Sequence, residues 1–75
     1  MDALKEIAES LRAGEEDAVR DATQAALGAG LEAGDILRNA LLAGMAVVSE
    51  EFGRREIFLP DVLLAARAMH AGMEV

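Results

Sequence analysis

Apolar residues recur at spacings of three and four along the whole chain, broken at intervals by glycine and once by proline. That period lines one face of an α-helix, so the pattern predicts helices separated by tight turns. Leu4, Ile7 and Leu11 mark a first helix over about residues 2–12, with Asp2 as N-cap and Gly14 as its breaker. A second fits roughly residues 15–29. It opens on acids (Glu15, Glu16, Asp17) and offers Val19, Ala22, Ala26 and Leu27 as its inner face. The third fits residues 35 to about 53, capped by Asp35, with Leu37, Leu41, Val48 and Phe52 near one stripe and Ile36, Ala40, Gly44 and Val47 widening it. The fourth starts with Pro60 at its first position, where a missing N–H costs nothing. Val62, Ala66, Met69 and Met73 form its stripe, and Gly72 stands as a candidate C-terminal cap. The expected architecture is all-α: one compact antiparallel four-helix bundle spanning residues 1–75.

Composition narrows the functions open to such a bundle. There is no cysteine and a single histidine, so neither a disulfide nor a structural zinc site is expected. The net charge of −7 argues against nucleic acid and anionic membrane surfaces as partners. No segment approaches the roughly 20 apolar residues of a membrane span. The opening "MDALKEIAES" is acidic rather than basic and then apolar, unlike a signal peptide, so a cytoplasmic location is expected. Gly28, Gly30 and Gly34 come close to a dinucleotide-binding spacing, but they follow a helix rather than a strand and read as helix punctuation. No nucleophile–base set or acid–base pair can be assembled, so the chain by itself is not expected to be an enzyme. His70 lies off the Met69/Met73 stripe with Glu74 four residues on, and reads as a solvated side chain. Met45, Met69 and Met73 read as core filler.

Two residues resist these explanations. With Pro60 as first helical residue, Leu59 occupies the N-cap, where Ser, Thr, Asp or Asn would satisfy a free N–H and an apolar residue typically costs about 1 kcal/mol. Phe58 before it would then form a hydrophobic staple with Leu63. Phe52 closes the third helix on the other side of the same short turn. Leu59 and Phe52 either plug the end of the bundle or project from it, and a projecting pair would form an apolar contact patch.

The stretch from Leu41 to Met73 resembles the helical cap module of cobalamin-binding corrinoid proteins, such as methionine synthase and the corrinoid proteins of methyltransferase systems. The resemblance rests on Gly44-Met45 followed by Val47-Val48, the acid–x–Phe of Glu50 and Phe52, and Phe58-Leu59-Pro60. The run Ala65, Ala66, Ala68, Met69 and the closing Gly72-Met73 complete it. The first two helices agree in length and in their acidic, alanine-rich character. Ser49 and Arg55 stand where the family commonly has glycine.

The resemblance implies a non-catalytic component of a corrinoid-dependent methyltransferase system. Such a cap covers the upper face of a cobalamin and shields the methyl–cobalt bond during methyl transfer in one-carbon metabolism. Its cofactor contacts carry over onto Phe52 and Leu59, and less directly onto Val62. The implied partners are a Rossmann-like cobalamin-binding domain, in cis beyond Val75 or in trans, and a methyltransferase. That domain's lower cobalt ligand comes from an Asp-x-His-x-x-Gly motif absent from this sequence, so no metal ligand is expected here. The alternative is a helical protein-interaction or oligomerisation module using the Phe52/Leu59 patch. A cobalamin-based light sensor would place a tryptophan above the cobalt, and this chain has none.

Overall fold

A computed structural model describes residues 2–75; Met1 lies outside them. Helix α1 spans Ala3–Arg12 and α2 spans Glu16–Gly28. Helix α3 covers residues 33–53 in three parts: an α-helical turn Ala33–Ile36, a π-helical segment Leu37–Leu42 and an α-helical run Ala43–Gly53. Helix α4 spans Leu59–Met73. Among the described residues there is no strand, and the four helices share one apolar core, as the period of the sequence predicts.

The core follows the apolar period closely at first. Asp2 caps α1, its carboxylate accepting from the Leu4 N–H at 3.0 Å, and Ile7 and Leu11 are fully buried. In α2, Val19 and Ala26 are buried and Ala22 and Leu27 pack at the margin. Thr23, a polar residue outside the apolar stripe, is buried among them. Arg20 holds Asp17 and Glu16 at 2.9 and 3.3 Å along the exposed side of the first turn.

Helix α3 differs from expectation at both its start and its middle. Its cap lies three residues early, at Glu32 instead of Asp35, and Asp35 sits inside the first turn paired to Arg38 at 3.3 Å. Its buried positions Ile36, Ala40, Gly44 and Val48 advance in strides of four, joined by Leu41. Four residues overshoot a 3.6-residue turn, so such a stripe drifts around a straight α-helix. The wider i→i+5 turn over Leu37–Leu42 takes up the drift and keeps all of these residues on the core.

In α4 the buried face is Ala65, Ala68, Ala71 and Gly72, turned by about one residue from the expected stripe. Val62 and Met69 flank it, partly buried; Ala66 is also partly buried, and Met73 is exposed. Gly72 is a packing residue, not a cap. A Cβ there would stand 2.9 Å from Leu41 Cδ2 and 3.0 Å from Val19 Cγ1, so its absence is what lets α4 lie against α2 and α3. Gly44 performs the same service between α3 and α1, where a Cβ would meet Leu11 and the Ala8 backbone at 3.2–3.4 Å.

Candidate functional site

The turn between α3 and α4 is built by two different end devices. Helix α3 ends in a Schellman motif. The Glu56 N–H donates to the Glu51 carbonyl at 2.9 Å and the Arg55 N–H to the Phe52 carbonyl at 3.0 Å. This requires a left-handed residue after the C-cap Arg54, and that residue is Arg55, with φ of +61°.

Helix α4 opens on Phe58 as N-cap, not Leu59. Leu59 and Pro60 are its first and second residues, both within the turn whose N–H groups lack helical partners. Asp61, the third, accepts the Phe58 N–H at 3.0 Å. That bond is one arm of a capping box; Phe58 has no side-chain acceptor to supply the other. The shift moves the staple as well. Ile57 and Val62, both partly buried against the core, hold the two staple positions. Phe58 and Leu63, the expected pair, are both exposed.

The consequence is an apolar tip. Phe52 is 44% exposed, Leu59 55% and Phe58 74%, and Leu63 continues the surface one turn along α4. Of the two readings left open by the sequence, plug or projection, the side chains take the second. Val62 sits behind them with the core.

Ion pairs bracket this tip. Arg12, at the end of α1, grips Glu51 in a two-pronged bond, Nε to Oε1 at 2.7 Å and Nη2 to Oε2 at 2.9 Å. It is the one side-chain bond among the described residues that joins two helices; the others link positions within four residues of each other. Its hydrogen bonds, with Coulomb attraction added, hold the Glu51 carboxyl below its ordinary value and raise the Arg12 guanidinium above its own. Arg54 pairs with Glu50 at 2.6 Å and with Glu56 at 3.8 Å.

Among the described residues no group of three or more His, Cys, Asp or Glu side chains converges on a point. His70 is exposed, about 16 Å further along α4 than Leu59. A cleft of about 170 Å³ at the other end of the molecule, lined by Thr23, Leu27, Ile36, Leu41 and Met73 among others, shares no residue with the tip. Among the described residues, no helix is long and apolar enough to cross a membrane.

This helical bundle belongs to the B12 binding domain family, whose model matches residues 3–75, and the cofactor of that family is cobalamin, a corrinoid. The resemblance read from Leu41 to Met73 therefore extends across both earlier helices. The chain is 43% identical over 68 residues to the methanol–corrinoid protein of Methanosarcina barkeri, covering 91% of this chain and 26% of that protein. It is 41% identical over 61 residues to trimethylamine corrinoid protein 2 of Methanosarcina mazei, covering 81% of this chain and 28% of that one. The solved monomethylamine corrinoid protein of Methanosarcina barkeri superposes with a TM-score of 0.94 at 30% identity, over 97% of this chain and 34% of that chain. The chain thus spans roughly a quarter to a third of the length of these relatives.

Proposed function

We propose that this domain is the cap of a corrinoid-dependent methyltransferase system, with Phe52 and Leu59 laid over the upper face of the corrinoid. The observation that carries the reading is the tip itself. Two large apolar side chains, on either side of one short turn, stand about half exposed outside the buried core. A corrinoid, when bound, would supply the methyl–cobalt chemistry; Phe52 and Leu59 would cover that centre and exclude water, backed from the core side by Val62 and Ile57. Burying the two exposed side chains contributes about 2–5 kcal/mol, enough to keep a lid closed and little enough for a methyltransferase to displace it. A separate Rossmann-like domain, in cis or in trans, would hold the rest of the cofactor. The chain by itself carries out no chemistry.

The test is a titration of the isotopically labelled chain with methylcobalamin, followed by amide NMR. Shifts should concentrate at residues 52–62 and be lost in Leu59→Glu. Shifts spread over the surface, or confined to the Thr23 cleft, would refute the placement.

A second reading, a protein-interaction or oligomerisation surface, is favoured by Phe58 and Leu63. They widen the tip beyond the two residues a cap needs, and Phe58 is the most exposed of the large apolar side chains. Under it the chain would form a concentration-dependent dimer in sedimentation that Leu59→Glu dissociates, with no response to methylcobalamin.

A further inference from the structure

Three helices of this bundle end in the same Schellman motif, and the third breaks the rule the other two keep. After α1, the Glu15 N–H reaches the Ser10 carbonyl and the Gly14 N–H the Leu11 carbonyl, with Gly14 at φ +74°. After α2, Leu31 reaches Ala26 and Gly30 reaches Leu27, with Gly30 at φ +97°. After α3, the left-handed residue is Arg55 at φ +61°. Among the described residues it is the one non-glycine with positive φ, and a β-carbon makes that conformation unfavourable.

Among the described residues no polar contact of the side chain offsets this cost: Arg55 makes no ion pair and no side-chain hydrogen bond there. The favourable effect of a cation at a helix C-terminus is already supplied by its neighbour Arg54, which is committed to Glu50 and Glu56. Arg55 is instead exposed, in the turn between Phe52 and Leu59. Five guanidinium donors with no internal partner therefore stand at the edge of an apolar surface.

We infer that Arg55 is the polar contact of the lid, donating to the carboxamide carbonyl oxygens carried on the rim of the corrin ring. The inference rests on the cap reading. The polarity of the tip matches that ligand: the ring's centre is apolar, where Phe52 and Leu59 would lie, and its rim carries neutral acceptors, where Arg55 would lie. Arginine stays charged at any working pH and offers donors in a fixed fork, so it holds a planar amide oxygen without needing a counter-charge.

The experiment compares methylcobalamin titrations of the native chain, Arg55→Gly, Arg55→Asn and Leu59→Glu by amide NMR, with thermal unfolding of each. Glycine and asparagine both accept the left-handed conformation, so neither substitution disturbs the turn. The expected result is that both Arg55 variants fold at least as stably as the native chain yet bind methylcobalamin about three- to tenfold more weakly. A merely structural residue would not move the two readouts in opposite directions. If both variants bind as tightly as the native chain while Leu59→Glu loses binding, Arg55 is not a contact and the cap reading stands. If the native chain shows no shifts at the tip, the cap reading fails and the inference falls with it.

Discussion

Replacing Arg55 by glycine should make this domain more stable, and the size of the gain follows from its backbone. A residue with a β-carbon in the left-handed region costs about 1–2 kcal/mol relative to glycine. Glycine returns part of that, about 0.5–1 kcal/mol, because the unfolded chain gains freedom. Among the described residues Arg55 has no hydrogen-bond or ion-pair partner to lose, so the balance is a stabilisation of about 0.5–1 kcal/mol. In a domain of this size, that raises the unfolding midpoint by about 2–8 °C. Thermal and urea unfolding followed by far-ultraviolet circular dichroism measures it directly.

The two glycine-ended motifs calibrate the result. A Cβ on Gly30 would meet nothing within 4 Å, so Gly30→Ala reports the backbone cost alone, a loss of about 1 kcal/mol. A Cβ on Gly14 would also stand 2.9 Å from Leu64 Cβ, so Gly14→Ala should lose more. If Gly30→Ala is destabilised as expected while Arg55→Gly is unchanged or weaker than native, Arg55 makes a stabilising contact and the argument from strain fails.

Leu59→Ala should leave urea unfolding within about 1 kcal/mol of native because about half of the residue is already in water, whereas Leu11→Ala, fully buried, should lose about 2–5 kcal/mol. The Arg12–Glu51 bond should give the unfolding midpoint an acid dependence. Glu51's folded carboxyl is held below its unfolded value near 4.5, so its contribution is complete above that value and is lost as pH falls through the folded one. The native midpoint should therefore drop toward that of Glu51→Gln on acidification, and the difference at neutral pH should shrink in high salt. Thr23→Val should stabilise the fold by about 1 kcal/mol in chemical denaturation, since it removes a buried hydroxyl with no hydrogen-bond partner and keeps its shape. A loss would mean that the hydroxyl is satisfied in solution.

Much of this bundle could be read from residue spacing, and what could not has identifiable causes. Ile7, Leu11 and Val19 were legible because large apolar residues stand alone among polar neighbours. Helix α4 was turned by a residue because Ala65, Ala66 and Ala68 look alike, and only the close approach of Val19 and Leu41 to Gly72 decides which of them faces inward. Pro60 misplaced the helix start by one position, since its missing N–H is harmless at either the first or the second residue. Asp61, three residues after Phe58, was the better marker. At the candidate site, Phe52 and Leu59 stood out because local rules did not account for them, and they do project from the core. Why Leu59 is tolerated at a helix start is simpler than its sequence position suggested: it is not the cap. Arg55's left-handed backbone gave no local signal, because the motif is defined by bonds that glycine usually announces; its one trace in the sequence is that Arg55 stands where the family commonly has glycine.

The wide turn in the middle of α3 has a consequence for the far end of that helix. Each helical residue rotates everything after it by about 100°. The additional residue held in Leu37–Leu42 therefore sets the angular phase of Val48 and Phe52 relative to Ile36. Deleting one residue there would restore a regular helix but swing the downstream half around its axis, so that either Val48 leaves the core or Phe52 points elsewhere. A change of length in this turn, ten to fifteen residues upstream of Phe52, is thus a way to re-aim the ring without altering it.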